Sequence, residues 1–191
     1  ENINKYENIN NDTLLAEVCL AAKYEGQSLV KKYNEYKERH KVFPSDICTI
    51  LARSFADIGD IIRGKDLFIG YDERDRKEKQ KLQENLKKIF GKIYGELIKK
   101  NTKNDGAQKR YNGDKDPNFF QLREYWWNAN RQQIWNAITC GTPQDAKYKV
   151  IKPDGSTTES ARGQCRGVTD VPTNFDYVPQ FLRWFEEWAE D

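Results

Sequence analysis

Methionine is absent from the 191 residues, and histidine occurs once, at position 40. With no second histidine and no Cys-x-x-Cys pair, the chain lacks the ligand spacing of a zinc site, and no metal or cofactor is expected. No run of about 18 apolar residues occurs, so no helix of this chain is expected to cross a membrane. No signal-peptide pattern is visible, which places any export signal or anchor outside this stretch. A chain without Met that opens on Glu1 reads as a segment cut from something longer. Neither a GxSxG elbow nor an HExxH helix is present. The segment 59–65, GDIIRGK, lacks P-loop spacing and falls at a helix end rather than after a strand. His40 sits among Glu38, Arg39 and Lys41 and reads as a solvated helix end. Glu186 and Glu187 read as an open face rather than an acid–base pair. The expectation is that the protein is not an enzyme.

What is present is charge and aromatic surface. Charged residues make up 32% and apolar residues 37%, enough to build a core and too much to leave the chain unfolded. Net charge is only +2, but it is unevenly spread. Residues 74–110 carry 13 Lys/Arg against 5 Asp/Glu, whereas residues 170–191 carry 1 against 6. A basic pole of that kind can dock on polyanions.

The apolar spacing is helical almost throughout. Residues 1–11 are Asn-rich and read as a loop or linker, after which Asp12 is placed as the cap of a first helix, 13–40. Its stripe runs Leu15, Val18, Cys19, Ala22, Leu29, Tyr33, Tyr36. A second helix carries Ile47, Ile50, Leu51, Ser54, Phe55, Ile58 and Ile62 and stops at Gly64. A third, 76–101, carries Leu82, Leu86, Ile89, Phe90, Ile93, Leu97 and Ile98. Its Gly91 and Gly95, one turn apart, suggest a backbone approaching closely there. After the loop 103–115, Asp116 and Pro117 signal the start of an aromatic helix that ends at Cys140. Residues 141–174 lack periodicity and promise at most a small hairpin near 150–155. A last helix opens near Tyr177 and carries Phe181, Leu182, Phe185, Trp188 and Ala189 on one side. The fold class expected is all-α, a bundle of about five long helices with a disulfide-tied irregular loop.

The aromatic helix holds Trp126, Trp127 and Trp135, three of five tryptophans. It reads as the axis of the bundle, with one of the adjacent pair Trp126 and Trp127 facing a neighbouring subdomain or partner. Cys19, Cys48, Cys140 and Cys165 admit three pairings, and fit disulfides in a secreted or surface protein better than buried thiols. Cys19–Cys48 would staple the first two helices, and Cys140–Cys165 would tie the irregular loop to the aromatic helix.

The candidate binding site is the basic patch: Lys87, Lys88, Lys92, Lys99, Lys100, Lys103, Lys109 and Arg110. The bland reading is the wet face of an amphipathic helix. The functional reading is counter-charge for a sulfated glycan. Nucleic acid is the weaker partner because aromatics for base stacking are sparse among these cations.

Four stretches carry a family resemblance: LLAEVCLAAKYEGQSLVKKY (14–33), LARSFADIGDIIRGKDLF (51–68), REYWWNANRQQIWNAITC (123–140) and DYVPQFLRWFEEWAED (176–191). Together they resemble the Duffy-binding-like adhesion domain, in particular the alpha class at the head of the malaria-parasite erythrocyte membrane protein 1 family. The resemblance implies a helical second subdomain over residues 12–191, truncated at its C-terminus, with residues 1–11 a linker or the tail of a preceding subdomain. It implies a variant surface antigen displayed on the infected red cell, a membrane protein through its parent chain. It also implies non-enzymatic adhesion and virulence through rosetting, and binding of heparan-type glycosaminoglycan, blood-group sugar or complement receptor on red cells. Host antibodies and adjacent subdomains would be further partners. The competing implication is a structural subdomain that packs on its neighbours while the receptor site lies elsewhere in the head. This chain departs from the family at Cys165-Arg166-Gly167, where Cys-Arg-Cys is common, and it stops at Asp191, before a further usual cysteine.

Overall fold

A computed structural model describes residues 10–39, 46–100, 111, 116–151 and 157–184. Among them are four long helices: α1 (Asn11–Arg39), α2 (Ile47–Arg63), α3 (Glu73–Lys100) and α4 (Phe120–Ile138). A two-stranded antiparallel sheet, β1 (Lys147–Ile151) and β2 (Thr157–Gln164), and a 3-10 turn (Phe175–Tyr177) follow. The opening of a last helix is described over 180–184. The fold is mainly helical, as the apolar periodicity predicts. The chain divides into two compact units, Glu1–Glu17 with Asp60–Asn130, and Val18–Gly59 with Arg131–Asp191.

In the first unit the core is Leu86, Ile89 and Phe90 of α3 against Leu122, Trp126 and Trp127 of α4. Phe90 and Trp126 meet edge to face at 6.0 Å. Helix α1 is capped by Asn10, not Asp12: Asn10 Oδ1 accepts the Thr13 N–H at 2.9 Å. Its buried stripe opens on Leu14, while Leu15 is half-buried and Tyr36 is exposed. Helix α2 ends as its sequence predicts. Gly64 takes φ 72°, its N–H bonds to Ile61 O, and Lys65 N–H reaches back to Asp60 O, a Schellman closure that frees no carbonyl needlessly.

Helix α4 begins three residues later than the Asp-Pro signal suggests. Asp116 Oδ1 accepts from Asn118 N–H and Oδ2 from Gln121 N–H, with Phe119 held at φ 57° between them. The left-handed Phe119 throws its ring onto Tyr94, 5.7 Å away, and beside Gly91. The two glycines of α3 therefore serve no backbone approach. Gly91 lies under a ring, and nothing lies within 4 Å of where a Gly95 Cβ would be.

The close approach is in the second unit, at a glycine the sequence did not single out. A Cβ on Gly26 would stand 1.9 Å from the Ile138 carbonyl oxygen, so only glycine lets α1 touch the end of α4 there. The buried residues of this unit include Val18, Ala22, Leu51, Phe55, Trp135 and Ile138, with Phe55 and Trp135 edge to face at 5.2 Å.

The hairpin is longer than expected and is anchored. Its register pairs Lys149 with Glu159 and Ile151 with Thr157, with an irregularity between Lys147 and Lys149. Asp46 caps α2 through Thr49 N–H at 2.9 Å and also accepts the Lys149 N–H at 2.8 Å. One carboxylate thus ties the helix start to β1. Trp135 Nε1 donates to Cys165 O at 2.8 Å and fixes the residue after β2.

These bonds overturn both expected disulfides. Cys48, at the head of α2, is bridged to Cys165 across a Cα–Cα distance of 5.8 Å, while Cys19 and Cys140 carry free thiols. Asp46 and Trp135 bring β2's end to α2, so Cys165 meets Cys48 rather than Cys140. Burial raises the Cys19 thiol pKa above its ordinary value. The irregular loop is tied down by a disulfide, but to α2.

The start of the last helix also faces the other way. Gln180 and Arg183 are buried and Phe181 and Leu182 exposed. Arg183 donates to Val178 O at 2.7 Å and to Asp57 Oδ1 at 2.7 Å, so a cation takes the place the apolar stripe was assigned. Phe185, Glu186, Glu187, Trp188 and Ala189 lie outside the described residues, as does His40.

Candidate functional site

The basic face is built by α3. Its inward side is consumed by Leu86, Ile89, Phe90 and Ile93, all buried, which forces the alternating lysines outward. Lys88, Lys92 and Lys99 stand at i, i+4 and i+11 and share one face, with Lys87 about 100° around the helix. All four are exposed. At about 1.5 Å per residue the row from Lys88 to Lys99 is about 16 Å long. Gly95, at i+7, lies in the same row, is half-buried, and has room where a Cβ would stand, with no atom of another element within 4 Å. Over residues 81–100 six lysines face two carboxylates, Glu84 and Glu96. Lys100 closes α3; Lys103, Lys109 and Arg110 lie outside the described residues. The structure thus brings three of the eight basic candidates onto one face of α3 and leaves Lys87 exposed beside that face.

The row has no aromatic platform of its own. Phe90 is fully buried and Tyr94 is half-covered against Phe119. Flexible cations on a regular helix can meet spaced anionic groups on a linear polymer, but they do not form a pocket for a single small anion. Among the described residues, no group of three or more His, Cys, Asp or Glu could hold a metal ion.

Two arginines of this unit, Arg123 and Arg63, have structural work. Arg123 is 2% exposed and donates to Ile62 O at 2.5 Å, Ile61 O at 3.1 Å and Gln83 Oε1 at 2.7 Å. It closes the carboxyl end of α2, where the helix dipole favours a cation. Burial lowers its pKa to about 10, with Asp116 opposing the shift, so it stays charged at neutral pH. Arg63, buried over the Trp127 ring at 5.8 Å, bonds Asp60 and Glu124. Burial would raise the Glu124 carboxyl, but the Lys65 hydrogen bond and the charges of Arg63 and Lys65 outweigh it and hold the group below its ordinary value.

Trp126 and Trp127 are both buried, contrary to the expectation that one faces outward. Successive helix residues point about 100° apart, and this part of α4 is covered over a wider arc than that. Trp126 sits on Phe90 with its Nε1–H on Asn11 Oδ1, and Trp127 lies beneath Arg63. On α4 the exposed large apolar residues are Phe120 and Tyr125, and a denser cluster lies in the segment between α2 and α3. Leu67, Phe68, Ile69 and Tyr71 are all exposed there. Sequence reading passed over them because four apolar residues among Asp and Gly have no helical or strand period; their density in a turn was the available signal.

Comparison with known proteins gives a consistent result. The sequence profile of the Duffy binding domain matches residues 1–183. The Duffy receptor beta form of Plasmodium knowlesi is 28% identical over 171 residues, covering 89% of this chain and 10% of that protein. The NTS-DBL1(alpha-1) domain of Plasmodium falciparum membrane protein 1 from the varO strain is 41% identical with a TM-score of 0.70, covering 98% of this chain and 40% of that one. The DBLb domain of a second PfEMP1 protein, solved bound to human ICAM-1, is 33% identical with a TM-score of 0.66, covering 96% and 34%. The chain therefore spans about a tenth of the length of the curated relative and well under half of each solved structure.

Proposed function

The chain belongs to the Duffy binding domain family, and from that premise we propose that it is the helical subdomain of a larger adhesive domain, binding a host-cell receptor without catalysis. One solved relative carries human ICAM-1, which supports a protein or glycoprotein receptor as the general target class. Its setting would be the outer surface of an infected red cell, held there by the parent chain.

For the ligand class, we propose a sulfated glycan along α3. The observation that carries this is the row Lys88, Lys92 and Lys99 with Gly95 between the last two. Each ammonium would sit opposite a sulfate, and Gly95 would let the polymer approach the helix. Lys100, Lys103, Lys109 and Arg110, which follow in the sequence, would add further cations. Attraction of this kind between exposed charges is screened within about 10 Å at 0.1 M salt, so binding should fall steeply as salt rises. The triple variant Lys88→Glu, Lys92→Glu, Lys99→Glu is expected to lose retention on immobilised heparin while keeping its helical circular dichroism. Retention equal to that of the unaltered chain would remove α3 as the site. Red-cell binding measured with and without free heparin then tells whether the glycan is the receptor.

The competing reading, a scaffold docked through its Trp helix, has less to stand on because Trp126 and Trp127 are both buried.

A further inference from the structure

The segment joining α2 to α3 exposes four large apolar residues within five positions: Leu67 at 54%, Phe68 at 38%, Ile69 at 72% and Tyr71 at 91%. A loop that exposes so much apolar surface is expected either to fold it back or to have a use for it. Here the backbone is braced by local contacts. Asp66 Oδ1 accepts the Phe68 N–H at 3.1 Å, and Asp66 Oδ2 holds Lys79 at 2.8 Å, whose ammonium lies 5.3 Å from the Phe68 ring centre. Phe68 and Tyr71 meet edge to face at 4.9 Å. Gly70 takes φ 103°, where a Cβ would stand 3.0 Å from Arg76 N, and Asp72 caps α3 through the Asp75 N–H at 2.9 Å. The apolar side chains are presented on a fixed frame, as in surfaces that bind with little ordering cost.

The rim decides the class of occupant. Residues 65–79 hold five basic and five acidic side chains, and four of the cations stand in ion pairs: Lys65–Glu124, Lys79–Asp66, Lys77–Glu73 and Arg74–Glu78. A neutral rim around an apolar centre suits a protein surface of the same kind and offers nothing to a polyanion. This face is therefore chemically separate from the lysine row of the same unit.

We infer that Leu67, Phe68, Ile69 and Tyr71 form an intramolecular docking face, seating a part of the same Duffy-binding polypeptide that lies outside these 191 residues. The inference rests on the subdomain reading above. Its second support is length: the matched stretch makes up only 40% of a relative that is itself described as one domain, so most of such a domain's chain is available to cover this face.

The test is hydroxyl-radical footprinting of the 191-residue chain and of the longer parent polypeptide. Side-chain oxidation at Leu67, Ile69 and Tyr71 should fall about tenfold in the parent, with no receptor added and at any protein concentration, because a docked core excludes water. The variant Ile69→Ser, which removes none of the bracing contacts, should leave the urea midpoint of the 191-residue chain unchanged and lower that of the parent. Equal oxidation in both proteins overturns the inference. Protection that vanishes on dilution assigns the face to a second copy, and protection only on adding red-cell membranes assigns it to the receptor; either overturns it. Equal loss of midpoint in both proteins would make the loop a purely internal support and overturn it too. Red-cell adhesion of the parent, read separately, reports on the adhesive reading itself.

Discussion

The two halves of α4 solve the same problem with different chemistry. The first half buries Trp126 and Trp127 and the second Trp135, and each brings an arginine against aromatic rings. In the first half Arg123 lies 5.8 Å from the Phe90 and Phe120 ring centres and spends its donors on two carbonyls and an amide. In the second half Arg131 lies 5.7 Å from Phe55 and 5.1 Å from Tyr177, and makes a bidentate bond to the fully buried Asp176 at 2.7 and 2.8 Å, with Thr173 O beside it. One cation closes a helix end by charge–dipole attraction; the other is half of an ion pair. The first suffers desolvation with little return from any carboxylate, which its lowered pKa records. The lesson is that a buried arginine does not imply an acidic partner when a helix terminus supplies the acceptors.

Removing each cation separates the two cases, and the largest effect belongs to the pair. Arg131→Met takes the bidentate partner from a fully buried carboxylate and should destabilise by about 3–5 kcal/mol. Arg123→Met leaves no charge behind, and Gln83 Nε2 still bonds Ile61 O, so a loss of about 2 kcal/mol is expected. Urea unfolding of the two variants would break the comparison if Arg123→Met proved the more costly.

Glycine sharpens it further. Gly26→Ala drives a methyl into the Ile138 carbonyl of the second half and should cost about 1–3 kcal/mol. At Gly91 in the first unit a methyl would stand 3.4 Å from the Phe119 ring, an ordinary contact, so Gly91→Ala should gain up to about 1 kcal/mol from helix propensity. Thermal melts that moved both variants in the same direction would contradict the contacts described.

The smallest effect is one of pH. The folded-state pKa of Glu124 is depressed, so its contribution is fully present above the unfolded carboxylate value and is lost as pH falls through the folded one. The side chain is 37% exposed, which screens the pair and limits the effect to under about 1 kcal/mol. Glu124→Gln should lie below the unaltered chain in stability at neutral pH and converge with it in acid. A gap that persisted below the carboxylate range would point to packing rather than charge.

Legibility in the sequence followed periodicity. The stripe Leu51, Phe55 and Ile62 and the stop at Gly64 were readable because local spacing and a left-handed glycine are properties of a few consecutive residues. The lysine row was readable for the same reason, since Lys88, Lys92 and Lys99 fall on one face of any helix containing them. What could not be read was the number of neighbours around a helix. Trp126 and Trp127 cannot share a face, yet both are buried because cover extends over more than one face. Gly26 looks like any helical glycine until Ile138 arrives from more than a hundred residues away. The disulfide belongs to the same class, because Cys48 and Cys165 meet through a hairpin whose anchor, Asp46, gives no periodic signal. The apolar loop escaped for a different reason: Leu67, Phe68, Ile69 and Tyr71 form no regular element, and the Asp and Gly around them read simply as a turn.

The Cys48–Cys165 bridge spans 117 positions and joins the two chain segments that build the second unit. The larger part of the first unit's sequence, Asp60–Asn130, is therefore enclosed in one covalent ring. A protease that cuts once anywhere inside that ring opens a circle rather than severing a line, and both fragments stay on the same molecule. Changes of length within the ring alter its circumference but leave its clasp where Asp46 and Trp135 put it. The sequence of the first unit can therefore be nicked or lengthened inside the ring while the second unit stays stitched.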